Sequence, residues 1–371
     1  MNTMDNNNKL RSKLVSAVFI IIIGGLFVLG LAVPKPSILS SERRAPAKLP
    51  EFSAGTVASG EFMGRLDSYS ADNFPFREGF RTISSTLAFG VFLQTDKNGL
   101  YMDENGAGEF KPVDPDSVGQ TAEKIRTVAD TLTGVNIYYA YIPDKSIYSN
   151  KKLPGFDPAL TEQLLTGKPG MDGFTFINLT DVLGADCYYR TDLHWNQIKL
   201  GGVLEKLEAS MGFDADLSRY SYENAGEFQG VYSGQLALPI GTDNLDYLYN
   251  PSLTATYLNE RIMEPEPGIV YNLDKLSGLD AYDFFLSGAQ PLIILENADS
   301  QTDKELYLFR DSFSSSLAPL LASAYSRVIL IDLRYIDMRT LTRFVEFKPG
   351  SDALFLYSTL VLNKSDMLLV G

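Results

Sequence analysis

The chain has 371 residues, 45% of them hydrophobic, and a formal net charge of −14 at pH 7. That length can bury a sizeable core, and an acidic surface of this kind repels a phosphate backbone, which excludes nucleic acid as the main partner. A single cysteine, Cys187, and a single histidine, His194, exclude an internal disulfide and a Cys/His zinc site; no metal or other cofactor is expected.

In chain order, the segment Leu14 to Val33 is twenty residues without a charge, preceded by Lys9, Arg11 and Lys13. Its length suits a helix across a bilayer, and the basic flank favours a cytoplasmic N-terminus, against the opposing pull of Arg43 and Arg44 beyond the span. The apolar run is longer than the roughly 7–15 residues typical of a cleaved signal peptide, so residues 1–33 are expected to be a cytoplasmic tip and an uncleaved anchor, with the remainder outside the cytoplasm. Residues 34–53, rich in Pro, Ser and charge, read as a tether, and 54–110 as a helical lead-in. There, two helices between Glu61 and Phe92 are split by Asn73-Phe74-Pro75-Phe76-Arg77. Gly99 to Met102 followed by Asp103-Glu104-Asn105-Gly106 reads as a strand and turn.

Residues 111–371 are expected to be an α/β domain. Ser117 to Leu132 reads as a helix, Val135 to Ile142 as a buried strand, Asp157 to Leu165 as a helix, Phe174 to Leu179 as a strand, and Ile198 to Met211 as an amphipathic helix. Gly201 and Gly202 in that helix suggest close approach by another backbone. An irregular insertion is expected near 220–280. Pro291 to Leu295, Glu305 to Phe309, Arg327 to Ile331 and Asp352 to Tyr357 are short apolar strands, with a helix at Ser314 to Ala324. Alternating strands and helices imply a mostly parallel sheet with helices on both faces.

Any base active near neutral pH must be His194. Asp192 stands two residues before it, suited to orient an imidazole and stabilise its charged form. The alternative for both is a capping aspartate and a packed histidine. In Phe309-Arg310-Asp311-Ser312-Phe313, a strand runs into a polar turn and a helix. Ser312 is thereby set past the carboxyl end of a strand and beside a helix start, where open α/β sheets bind ligands and backbone N–H groups can hold an oxyanion. Serine as a helix cap is the competing interpretation.

These residues resemble those of the DHHW family, a branch of the SGNH-hydrolase-like proteins related to the alginate O-acetyltransferases. The resemblance rests on Asp72-Asn73-Phe74-Pro75-Phe76-Arg77, Ile142-Pro143-Asp144-Lys145, Thr191-Asp192-Leu193-His194-Trp195, Asp283-Phe284-Phe285-Leu286 with Gly288, and Arg310-Asp311-Ser312-Phe313. It implies an SGNH-hydrolase-like, flavodoxin-like fold in which the Asp-His block precedes the serine, a permuted motif order. It also implies Ser312 as nucleophile, His194 as general base and Asp192 as orienting carboxylate. The implied function is a polysaccharide O-acetyltransferase or acetylesterase that works through a serine acyl-enzyme on a carbohydrate polymer, with a membrane-bound O-acyltransferase supplying acetyl. Two departures stand out. Arg310 replaces the glycine of the usual Gly-Asp-Ser turn and is a candidate to hold an anionic sugar. No asparagine follows Gly288, which leaves the N–H groups of Ser312 and Gly288 as oxyanion donors. The alternative is a non-catalytic carbohydrate-binding or assembly protein on the same fold.

Overall fold

The computed structural model describes residues 2–151, 155–259, 261 and 263–370; Met1 of the expected cytoplasmic tip lies outside them. The chain divides into two compact units, Met1–Phe92 with Gly234–Leu238, and Leu93–Ser233 with Pro239–Gly371.

In the first unit, a helix runs over Asn2–Ala32, and its segment Arg11–Gly30 is long and apolar enough to cross a membrane. The stretch expected as an open tether is folded. Leu39 is buried and bridges to Arg44, a short 3-10 turn spans Ser40–Glu42, and Arg44 forks onto the buried Asp72 with two contacts of 2.6 Å. Helices follow at Glu61–Asp72 and Arg77–Thr86, the latter continued by a π turn over Leu87–Val91. The expected break at Phe74-Pro75-Phe76 is there, with Phe76 in the left-handed region at φ 57°.

The second unit is built on an eight-stranded sheet. Its strands are β1 (Asn136–Ile142), β2 (Thr175–Ile177), β3 (Leu253–Asn259), β4 (Glu264–Gly268), β5 (Leu292–Asn297), β6 (Glu305–Arg310), β7 (Arg327–Ile331) and β8 (Asp352–Ser358). The spatial order is β2-β1-β8-β6-β7-β5-β3-β4. The first five run parallel, and β5, β3 and β4 add an antiparallel edge. The short 298–304 connection between β5 and β6 is too brief for the crossover a parallel neighbour requires. Accordingly, β5 runs against β7. Two strands of the expected irregular insertion, β3 and β4, belong to this sheet; a separate antiparallel pair, Ser221–Phe228 with Asp243–Tyr249, accounts for much of the rest.

Strands β6 and β8 are buried at every residue, as expected of central strands covered on both faces. Side chains alternate between the two layers. Leu306 and Leu308 join a core with α3 (Gly201–Met211) and α4 (Ser314–Leu321), whereas Tyr307 and Phe309 join the opposite core with α1 (Pro115–Ala129) and α2 (Pro158–Thr166). Helices α1 and α2 start in the same way: Asp114 and Asp157 accept from backbone N–H groups three residues on, and a proline occupies the first turn. The carboxyl ends of β1, β6 and β8 lie side by side. From there the chain enters the Pro143-Asp144-Lys145 turn, the Asp311-Ser312 turn and the Thr359 turn.

Candidate active site

The segment from Tyr188 to Trp195 forms a closed loop. Tyr188 bridges to Trp195, and Tyr189 N–H donates to His194 O at 3.0 Å. Asp243 holds the loop from one side, its carboxylate accepting from the N–H groups of Arg190 and Thr191 and from the Thr191 hydroxyl at 2.6 to 2.7 Å. Lys145, at the end of β1, donates from Nζ to Tyr189 O at 2.7 Å and to Asp192 O at 3.1 Å. Burial pulls the Lys145 ammonium down to about 8, against the opposing pull of Asp192 and Asp243.

This frame brings Asp192, His194 and Ser312 together. His194 Nε2 lies 2.9 Å from Ser312 Oγ, and His194 Nδ1 lies 2.7 Å from Asp192 Oδ1. The second oxygen of Asp192 accepts from Val231 N–H at 2.9 Å, so the carboxylate is oriented at both ends. Asp192 and His194 are buried, and Ser312 is partly exposed, which leaves the hydroxyl as the member of the set open to a ligand. Neither Asp192 nor Ser312 caps the helix that follows it in sequence. Helix α3 begins only at Gly201, and α4 has no side-chain cap.

Around Ser312 the turn is tied by Asp311, which accepts from Phe313 N–H at 3.1 Å and from Ser358 N–H at 2.6 Å, locking the end of β6 to the end of β8. Ser312 N–H has no acceptor among the described residues and remains a candidate oxyanion donor. Gly288 does not match the expectation. Its N–H donates to Phe285 O at 3.3 Å, and a Cβ there would meet Asp283 Oδ1 at 2.5 Å, with φ at +90°. Gly288 therefore closes a turn and its N–H is already committed.

Arg310 also departs from expectation. It is fully buried because it ends β6, a strand covered on both faces, and Nη1 reaches Asp311 O at 3.3 Å and Ser315 Oγ at 3.2 Å. Burial lowers its affinity for the proton. It underlies the Ser312 turn and cannot reach a polymer at the surface. Cys187 is buried, as expected of a small apolar residue. A Cβ at Gly202 would lie 3.3 Å from Val182 O, whereas one at Gly201 would meet open space.

Three further contributors carried no recognisable pattern in the sequence. Tyr282 stacks on the His194 ring. Asp243 clamps the loop from fifty residues away in sequence. Gly230 lies so close to the loop that a Cβ would meet Thr191 O at 2.3 Å; its N–H donates to Thr191 Oγ1 at 2.8 Å. Trp195 is a wall: fully buried, it donates from Nε1 to Phe313 O at 2.8 Å, linking the histidine loop to the serine turn.

No family model matches the chain, and no curated protein matches it in sequence. Among solved structures, a DHHW family protein from Eubacterium siraeum is similar over 74% of this chain and 97% of its own, with a TM-score of 0.60 at 16% identity. PatB1 of Bacillus cereus, in the form carrying a sulfonyl adduct, is similar over 73% of this chain and 98% of its own, with a TM-score of 0.56 at 15% identity. The chain thus has the fold of a DHHW family protein and of PatB1 over nearly three quarters of its length.

Proposed function

We propose that this protein is a membrane-anchored, extracytoplasmic O-acetyltransferase or acetylesterase of polysaccharides that works through a serine acyl-enzyme. The observation that carries the proposal is the run of contacts from Ser312 Oγ to His194 Nε2 at 2.9 Å and from His194 Nδ1 to Asp192 at 2.7 Å. In this mechanism His194 accepts the Ser312 proton as Oγ attacks an acetyl carbonyl, and Asp192 stabilises the resulting imidazolium. The imidazolium then returns the proton to the leaving group as the acetyl–serine ester forms. A sugar hydroxyl, or water in the esterase case, gives its proton to His194 and attacks the ester, and His194 returns that proton to Ser312 Oγ as it leaves. The N–H of Ser312 stabilises the oxyanion in both halves.

Two further lines support this assignment. The sequence blocks around Asp192, His194 and Ser312 resemble those of proteins related to the alginate O-acetyltransferases, and that resemblance supplies both the acetyl group and a membrane-bound O-acyltransferase as its source. PatB1, which shares the fold, was solved with a sulfonyl adduct, and sulfonyl reagents capture activated nucleophiles. The anchor assignment rests on the Arg11–Gly30 helix, and the orientation on Lys9, Arg11 and Lys13 at its N-terminal side.

The test uses a small acetyl ester and a sulfonyl fluoride. The wild-type protein should release acetate and acquire one sulfonyl group on Ser312. Ser312→Ala and His194→Ala should each lower turnover by at least about a thousandfold, leaving only what binding and the oxyanion donor provide. Equal turnover in all three proteins would refute the assignment.

A further inference from the structure

The helix over Arg77–Thr86 and its continuation to Val91 are oriented opposite to what water favours. Charged and small residues at Arg77, Arg81, Ser85 and Ala88 face inward, spaced one turn apart. Arg77 bonds Glu42, while Arg81 bonds Ser41 Oγ at 3.0 Å and the carbonyls of Gly234 and Gln235 at 3.0 and 2.8 Å. The outward face holds Phe80, Ile83, Leu87 and Val91, which are 47%, 57%, 42% and 62% exposed. These fall at i, i+3, i+7 and i+11, a continuous apolar stripe along one side of the helix. A stripe of this length is not the scattered surface apolarity that any protein tolerates.

The stripe continues to the end of the candidate membrane span. Phe74 meets Phe80 edge-on, with ring centroids 5.5 Å apart. Beside Phe74, the Pro75 ring packs on Gly30, 3.6 Å from where a side chain would begin, and Lys35 caps the Gly30 carbonyl. Phe76, 70% exposed, is held outward at φ 57°, a conformation that aromatic residues rarely adopt. The turn Phe74-Pro75-Phe76 therefore lies where the Arg11–Gly30 helix ends, at the level at which a spanning helix meets the headgroups and where interfacial helices seat Trp, Phe and Leu.

We infer that the helix from Arg77 to Val91 lies in the membrane interface, its Phe80, Ile83, Leu87 and Val91 face seated in the lipid of the leaflet where the span ends. The chain is then held at two points, by a spanning helix and by an interfacial one, and the orientation of this unit on the bilayer is set by both. The inference rests on the anchor assignment proposed above. Its ligand is a phospholipid surface, to which such a helix binds by burying its apolar face roughly 5–10 Å into the headgroup and acyl boundary.

The test uses the full chain in a Cys187→Ala background, reconstituted at no more than one copy per vesicle of phosphatidylcholine and phosphatidylglycerol. Three variants, Ile83→Cys, Leu87→Cys and Ile22→Cys, each carry an environment-sensitive fluorophore, and Glu78→Cys serves as the reference on the polar side. The expected result is a blue-shifted emission at positions 83 and 87, strong quenching there by lipids spin-labelled near the headgroup, and weak quenching at 78. Two results overturn the inference: emission at 83 and 87 as water-exposed and as open to iodide as at 78, or shielding from iodide without quenching by lipid, which would mean that protein covers the face. Position 22 separates the two proposals. Deep-lipid quenching at 22 with none at 83 and 87 refutes the interfacial helix alone, whereas no quenching at 22 refutes the anchor.

Discussion

The phenol ring of Tyr282 lies flat on the imidazole of His194, with centroids 3.7 Å apart and planes 3° from parallel. The Tyr282 hydroxyl is fixed in turn, donating to Phe313 O at 3.1 Å and pairing with Ser316 Oγ at 2.8 Å. The stack thus holds the histidine ring from a residue that is itself tied to the helix following Ser312.

Two substitutions separate the stack from the hydroxyl. Tyr282→Phe keeps the ring and removes a buried hydroxyl together with its bonds, so turnover should fall by only a few-fold. Tyr282→Leu frees the imidazole to turn away from Ser312 Oγ, and a misplacement of about 1 Å costs on the order of a hundredfold. Steady-state turnover of a small acetyl ester by the two variants checks both expectations; equal losses would show that the stack contributes nothing.

Much of this arrangement was legible in the sequence, and the limits have physical causes. Strands β1, β6, β7 and β8 announce themselves as apolar runs because both of their faces are buried. Asp192 and His194 stand out because one histidine leaves little choice, and Ser312 because it lies just past the end of β6. Tyr282 does not stand out, since one tyrosine among twenty has no spacing that points to His194. Asp243 acts across fifty residues of chain, where only the folded loop brings it to Thr191. The Arg310 expectation failed because its charge suggested the surface, while both faces of β6 are buried. Folding of the stretch expected as a tether depends on Asp72, whose partner Arg44 lies 28 residues earlier.

Gly230 tests how closely the loop must fit. A methyl group there would meet Thr191 O at 2.3 Å and Asp192 Cβ at 2.5 Å, and backbone atoms cannot yield as a flexible side chain can. Gly230→Ala should push the loop away, lengthen the Val231 N–H to Asp192 contact, and cost about 1–3 kcal/mol of stability as overpacking does. Turnover should fall by about a hundredfold or more. A wild-type rate together with a wild-type melting temperature would show that the loop accommodates the methyl group.

Asp72 links acidity to local order. The Arg44 guanidinium, with Ala47 N–H donating at 2.8 Å, holds its carboxyl down at about 2. A carboxylate held lower in the folded chain than in the unfolded one stabilises fully above the ordinary carboxylate range, and that contribution is lost as pH falls through about 2. At neutral pH, Asp72→Asn should remove the ionic partner of Arg44 and speed hydrogen exchange at Ala47 by about tenfold, the scale of one charge-assisted hydrogen bond. Unchanged exchange at Ala47 would mean that the fork does not hold this stretch.

Lys145 has the opposite linkage. Its ammonium is buried and donates to Tyr189 O and Asp192 O, its Nζ lies 5.4 Å from the Tyr232 ring centroid, and the carboxylates of Asp192, Asp243, Asp144 and Asp103 act on it. Burial prevails over these carboxylates and brings Lys145 down to about 8, below its value in an unfolded chain. The unfolded state therefore binds more protons between about 8 and the ordinary lysine range. The cost of burying the charge is full below that window and is relieved as pH rises through it, so this residue makes the protein gain stability toward alkaline pH. Lys145→Met fills the same space without a charge. It should flatten the alkaline gain, seen as a smaller rise in melting temperature between about pH 7 and about pH 10 than in the wild type. It also strips two carbonyls of the histidine loop of their donor, each a buried acceptor worth about 1–3 kcal/mol when left unpaired, so ester turnover should fall even where the fold survives. A variant with an unchanged rate and an unchanged alkaline gain would show that Lys145 neither holds this loop nor titrates within it.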